Sequence, residues 1–221
     1  MLKLLPYLAF LGLVSASSAA PTAREILASV RMQQAGQDVD LQGQLRQNEV
    51  VIPFRLTQTG PVIRYTFTNP AESLQLRLGA TDSRLEEVTR EGVDKIAGPE
   101  FNQKVRSTAV TFGDLALKFL YWPNSRLLGE ETVRTRQCWK LQLQAPSKDS
   151  QYSTVLLWID QQGGALMRME GYDCDTKLVK RFEVESAQKI EGHWFLKQMR
   201  IEEFQPGTMK VMSRTYLEIK K

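Results

Sequence analysis

Histidine and cysteine are scarce: the chain has one histidine and two cysteines in 221 residues. Protein zinc sites draw mainly on those two residue types. His193, with Cys138 and Cys174 far from it in sequence, supplies no such set. His193 precedes Trp194 at the start of an expected strand, has no serine or cysteine nucleophile signature beside it, and reads as a surface residue. The glycine-rich phosphate and dinucleotide loops G-x-x-x-x-G-K-[ST] and G-x-G-x-x-G are missing, as is the hydrolase elbow G-x-S-x-G. The pair Asp173-x-Asp175 hints at calcium, but Leu178 stands where an EF-hand loop needs glycine, and Glu185 is out of register with its closing glutamate. No pair of carboxylates is singled out for glycosidase chemistry. Neither an enzyme nor a metal or cofactor is therefore expected. Charge of one sign is not concentrated either: 29 basic and 25 acidic residues give a formal net charge of +4, and they alternate. Nucleic-acid binding would need a basic stripe, so no nucleic-acid partner is expected.

Long apolar runs are confined to the first residues. Lys3 is followed by the apolar stretch Leu4 to Val14 and then by Ser15, Ala16, Ser17, Ser18, Ala19 and Ala20. This is the n-, h- and c-region order of a secretory signal, with Ser17-x-Ala19 as the preferred cleavage motif. The run is shorter than the roughly 20 residues a membrane-spanning helix requires. The first cysteine is Cys138, so no lipidation cysteine stands at the cleavage point. The expectation is a cleaved signal over residues 1–20, and a single domain over 21–221 that is exported, unlipidated and monomeric.

What is present is mostly alternation. Thr22 to Ala35 reads as an amphipathic helix, with Ile26, Leu27 and Val30 on one stripe and Gly36 as its stop. The period then changes to two. Val39, Leu41 and Leu45 mark a first strand, and Ile52, Phe54 and Leu56 a second. Ile63, Tyr65 and Phe67 follow the Thr59-Gly60-Pro61 turn, and Leu74, Leu76 and Leu78 follow Asn69-Pro70. These four make an antiparallel meander. Ser83 to Ile96 fits either a short helix or a twisted hairpin around Glu91-Gly92, and the hairpin is the preferred reading. Thr111, with Asp114 three residues on, predicts a helix running to Trp122. Strands resume with Trp139, Leu141 and Leu143. Val155 to Ile159 is apolar on both faces, as expected of a central, covered strand. Ala165 to Tyr172, Leu178 to Glu185, His193 to Phe204 and Lys210 to Lys220 complete the chain. About ten strands and two helices in this order predict an α+β fold. In a simple meander Cys138 and Cys174 lie two strand spacings apart, roughly 9–10 Å, beyond the about 7 Å a disulfide spans. Two unpaired thiols are expected.

The second half resembles the outer-membrane lipoprotein-sorting protein family, the LolA-like periplasmic lipoprotein carriers. The resemblance rests on Val110-Thr111-Phe112-Gly113-Asp114-Leu115, on Leu127-Leu128-Gly129-Glu130-Glu131 and on Cys138-Trp139-Lys140-Leu141. It continues through Leu157-Trp158-Ile159-Asp160, Leu166 to Asp173 and Gly192 to Arg200. It covers most of Ile96 to Lys220, and the first half agrees in layout only. It implies an unclosed antiparallel β-barrel whose apolar concave face is covered by helices and holds lipid or lipoprotein acyl chains in the periplasm. Inner- and outer-membrane transport proteins are the implied exchange partners.

A large sheet with few helices has more inward apolar face than two helices can fill, which makes an apolar pocket. The candidate cavity residues are Ile52, Phe54, Leu56, Ile63, Tyr65, Phe67, Leu74 and Leu76 from the meander. Leu117, Leu120 and Trp122 come from a lid helix, and Trp139, Leu141 and Trp158 from the later sheet. An ordinary filled core accounts for the same positions, and the sequence does not decide which face points inward. The first functional reading is a carrier that shuttles acyl chains toward the outer membrane. The alternative is a non-enzymatic periplasmic interaction or sensor module, or a transporter accessory, that docks a protein segment on the same sheet.

Overall fold

The structure, a computed structural model, describes residues 20–190 and 193–220. The expected leader, apart from Ala20, and the side chain of His193 lie outside the described residues. Helix α1 (Ala23–Ala35) begins where the sequence placed it. The Thr22 hydroxyl accepts the Glu25 N–H, and the Glu25 carboxylate accepts the Thr22 N–H at 2.7 Å, so two of the helix's orphan donors are satisfied reciprocally. Ala23, Ile26, Leu27 and Val30 form its buried stripe.

Two antiparallel meanders follow. The first comprises β1 (Gln37–Gln47), β2 (Val50–Gly60), β3 (Val62–Thr68), β4 (Ala71–Leu78), β5 (Ser83–Val88) and β6 (Val93–Lys95). The second comprises β7 (Asn124–Val133), β8 (Arg136–Gln144), β9 (Thr154–Asp160), β10 (Leu166–Tyr172), β11 (Leu178–Ile190), β12 (His193–Phe204) and β13 (Val211–Lys220). Pairing of β1 with β13 joins them into one 13-stranded sheet of order β6-β5-β4-β3-β2-β1-β13-β12-β11-β10-β9-β8-β7. The sheet does not close, and the fold is the expected α+β unclosed antiparallel barrel with few helices.

The strand order has a direct consequence. β6 and β7 are consecutive in the chain yet form opposite edges of the sheet. The connection between them, residues 96–123, must therefore cross a face of the sheet. It crosses the concave one, and α1 bridges the gap between the margins by packing against both β7 and β4.

Three expectations need correction. The described strands number 13 rather than about ten. β7 escaped because it is an edge strand with only Val133 buried, and a bulge between Leu127 and Gly129 breaks its alternation. Thr111 to Trp122 is not one helix. It is α2 (Phe112–Leu115), then a 3₁₀ turn at Lys118–Tyr121, with Leu117 between them in the left-handed region at φ 50°. At the break the Ala116 carbonyl accepts the Ser83 hydroxyl at 2.6 Å instead of continuing the helix. The break lets Leu115 pack on the first half of the sheet while Phe119 and Leu120 pack on the second.

The third correction concerns Trp158. Across β8 and β9 the register pairs Trp139 with Ile159, Leu141 with Leu157 and Leu143 with Val155. Those residues face α1 in one buried cluster. Side chains alternate along a strand, so Trp158 points to the opposite, convex face. It is buried there with Val133 and Cys138. Lys140 Nζ and Arg168 Cζ lie 4.9 and 5.4 Å from its ring centroid, and such cations cover an aromatic face favourably. Cys138 and Cys174 are free thiols, as the strand spacing predicted.

Candidate functional site

The concave face carries two apolar clusters. Phe54, Ile63, Phe67, Leu74 and Leu76 are buried in the first, and Ile52, Leu56 and Tyr65 are half-buried against it. Leu120 and Leu141 are buried in the second, with Leu117, Trp122 and Trp139 half-buried at its margin. Every candidate from the sequence except Trp158 lies in one or the other of these two clusters. Phe182 touches both clusters and makes the apolar face continuous across β11. Burial holds the Tyr65 hydroxyl in its neutral form and pushes its pKa up to about 12. Phe54 meets Tyr65 edge-on at 6.0 Å between ring centroids, the geometry aromatic pairs favour.

The face-crossing segment forms the lid. Val105, Ala109, Val110 and Ala116 insert into the first cluster. The space left between Leu45, Phe54, Tyr65, Phe67, Val105, Leu115 and Leu217 is about 10 Å³, room for no more than about one water. Here the first cluster is packed against the protein's own crossover segment. These lid residues had little sequence signal, because 97–110 has no strand or helix period and is held by irregular turns.

Polar contacts hold the lid from several sides. The Arg106 guanidinium donates to the carbonyls of Asn69 and Pro70 at 3.0 and 2.7 Å and pairs with Glu72. The Ala109 N–H donates to Thr215 Oγ1 at 2.9 Å on β13. Lys118 Nζ pairs with Asp82 at 2.8 Å.

The central fastening is buried. Asp114 Oδ2 lies 2.9 Å from Lys180 Nζ, with side chains only 1% and 5% exposed. The same carboxylate accepts the Thr111 N–H at 2.9 Å and, through Oδ1, the Tyr152 hydroxyl at 2.7 Å. Burial, with Asp114 beside it, pushes the Tyr152 hydroxyl pKa well above its ordinary value. Glu203 lies 3.6 Å from Lys180 and accepts Lys104 Nζ at 2.7 Å and the Ser213 hydroxyl. Burial acts to raise the Glu203 pKa, but those hydrogen bonds and the two lysine charges outweigh it and leave it below the usual carboxylate value. The Thr111–Asp114 cap was legible in the sequence. Its tie to Lys180 was not, because the two residues are distant in sequence and meet only across the sheet.

A second space opens beside the lid. A pocket of about 390 Å³ lies between the lid, the turn joining β4 to β5, and the loop joining β8 to β9. Its walls include Phe101, Phe119, Tyr121, Trp122 and Tyr152, and its rim includes Asp82, Lys118 and Asp149. Among the described residues no group of three or more His, Cys, Asp or Glu could hold a metal ion. No helix among them is long and apolar enough to cross a membrane.

The open antiparallel sheet with few helices is a fold shared with solved structures of lipoprotein-sorting and other proteins. A putative outer membrane lipoprotein-sorting protein domain from Vibrio parahaemolyticus superposes with a TM-score of 0.66 at 13% identity, covering 88% of this chain and 89% of that one. A DUF1329 family protein from Desulfovibrio piger gives 0.65 at 21% identity over the same shares. A LolA superfamily protein from Nitrosomonas europaea gives 0.63 at 17%, covering 91% and 93%. At these identities the likeness is one of fold. No curated protein matches the sequence. Residues 89–221 match the model of a family described as "-like: Uncharacterized protein". That stretch is more than half of the chain, and the chain belongs to this family.

Proposed function

We propose that this protein is a periplasmic carrier that binds the acyl chains of a lipid or lipoprotein on its concave sheet and helps deliver them toward the outer membrane, without catalysis. Residues 1–20 are its cleaved signal, and 21–221 its single, unlipidated and monomeric domain. The observation that carries the reading is how the apolar face is covered. A continuous band from Leu76 to Leu141 is covered by the crossover segment over its first half and by α1 with Phe119 and Leu120 over its second, rather than by a second sheet. A segment fastened by a few polar contacts can be exchanged for a ligand of similar apolarity. Each methylene transferred contributes about 0.8 kcal/mol, so several methylenes can replace the contacts of Val105, Ala109 and Val110. Shielding by the lid keeps the empty carrier free of a large exposed apolar patch.

The test is to purify residues 21–221, extract any bound lipid for mass spectrometry, and titrate the stripped protein with a pyrene-labelled monoacylglycerol. Copurified acyl lipid or saturable uptake supports the carrier. Neither lipid nor uptake overturns it, and a stoichiometric copurified peptide instead would favour the docking module.

A further inference from the structure

We propose that the pocket beside the lid, rather than the packed first cluster of the concave face, is where an acyl chain first binds, and that it accepts a lipid whose head is uncharged. The inference rests on the carrier reading and assigns it an entry site. Three features point there.

The first is space. The gap under the lid between Phe54, Tyr65, Phe67 and Val105 holds about 10 Å³, whereas the pocket between the lid and the β8–β9 loop has about 390 Å³, within the range of small-ligand sites. The pocket is ready-made, and no lid contact need break before a chain enters.

The second is lining and charge. Phe101, Phe119, Tyr121 and Trp122 give the walls an aromatic, apolar surface. The ammonium at the rim, Lys118, is already engaged by the Asp82 carboxylate at 2.8 Å and by the Ser83 carbonyl. Asp149 stands at the same rim and repels an anion. A free fatty-acid carboxylate would meet repulsion and a spent cation. An ester- or amide-linked chain under a hydroxylated head would meet hydrogen-bonding groups without charge conflict.

The third is connection to the lid. Two wall residues of this pocket are part of the lid fastening. Gln151 accepts the Thr111 hydroxyl at 3.1 Å and donates to the Tyr152 hydroxyl at 2.9 Å. Tyr152 in turn donates to Asp114. Gly113 lines the pocket on the lid side, where a Cβ would stand 2.8 Å from Gln151 Oε1. A chain pressing on this wall therefore acts on the groups that hold Asp114 against Lys180, and entry is coupled to release of the lid.

Trp122 reports occupancy directly. Residues 21–221 are titrated at neutral pH with a monoacylglycerol carrying a dibrominated stearoyl chain, and in parallel with dibromostearate, while bromine quenching of tryptophan is followed. Trp122→Phe should remove at least half of the quenching by the glyceride. Ser147→Trp, which plugs the mouth, should weaken glyceride binding at least tenfold. The glyceride should bind at least tenfold more tightly than the free acid. If the glyceride binds and quenching is undiminished in Trp122→Phe, the entry site is wrong while the carrier reading stands. If the free acid binds as well as or better than the glyceride, the head preference is wrong. If neither probe binds the wild type, the carrier reading and this inference fall together. Because Trp122 also borders the second concave cluster, a plug at Ser147 decides the site, and Ser147→Leu serves where Ser147→Trp does not fold: unchanged glyceride affinity in a folded Ser147 variant overturns the entry site.

Discussion

Tyr152 lies so close against Gly171 that a Cβ at position 171 would stand 2.5 Å from the tyrosine Cδ1. Gly171 is on β10, opposite Lys180 on β11, so the missing side chain makes room for the ring that positions the fastening of the lid. Gly171→Ala should push the ring away from Asp114 and lower stability by about 1–3 kcal/mol, the usual cost of overpacking. Adding Tyr152→Leu to Gly171→Ala should recover part of that loss. Thermal unfolding by circular dichroism of the two single variants and the double would show it. Strictly additive losses would mean that the two positions do not couple.

The pair Asp114–Lys180 makes the second prediction. Both groups are out of water, and removing one charge leaves the other buried without its partner. Lys180→Met should cost about 3–5 kcal/mol by that mechanism. Asp114→Asn should cost a similar amount, because the Thr111 and Tyr152 hydrogen bonds survive only in part. The double variant Asp114→Asn, Lys180→Met should lose well less stability than the sum of the single losses, because neither buried charge is then left without its partner. Limited proteolysis gives a local readout, with cleavage in 97–123 rising in each single variant before global unfolding. Uniform protection of that segment would rule out a role for the pair in holding the lid.

How far the sequence carried the fold can be judged element by element. The helical stripe of Ile26, Leu27 and Val30, the four alternating strands from Val39 to Leu78 and the face alternation that made Phe54, Phe67 and Leu76 core candidates all depend on neighbours within a few residues. Those features were legible. β7 was not, because an edge strand needs only one buried side chain, and a bulge at Leu127 removes its period. Trp158 could not be placed, since a strand apolar on both faces carries no sign of which face is concave. The lid itself was missed as a lid from 97 to 110, because its reason is topological. It exists because β6 and β7 end up at opposite margins, and that follows from the pairing of β1 with β13, a contact between the two ends of the domain.

Acid should loosen the lid through Glu203. Its folded-state pKa is lowered, since the hydrogen bonds from Lys104 and Ser213 and the lysine charges overcome burial. A lowered carboxylate contributes stability that is present above its unfolded value of about 4.3 and is lost as pH falls through the folded value. Wild-type protein should therefore lose stability below about pH 4.3 more steeply than Glu203→Gln, which has no such proton to gain. Urea midpoints at pH 7 and pH 3 measure the difference. An equal gap between wild type and variant at both values would show that Glu203 contributes nothing to the acid limb.

The two faces of the sheet predict opposite binding phenotypes. Leu76 is fully buried on the concave face beside Ile63 and Leu85, whereas Trp158 is sealed on the convex face under Lys140 and Arg168. Tyr65, half-buried on the concave face, can be changed with less loss of packing than Leu76. Trp158→Phe removes part of a ring from a well-covered site and should lower stability by about 1–2 kcal/mol through the cavity it leaves. It should leave the affinity for a pyrene-labelled monoacylglycerol within twofold of wild type. Tyr65→Glu places a charge on the concave face that an acyl chain would have to bury, and uptake should fall at least tenfold. A carboxylate in contact with hydrocarbon is costly whether the lid is open or closed, so the folded fraction of Tyr65→Glu must first be confirmed by circular dichroism. Tyr65→Ser offers a neutral change in its place, with the same direction of effect. If Trp158→Phe weakens uptake as much as either Tyr65 variant does, the acyl chain is not bound on the concave face.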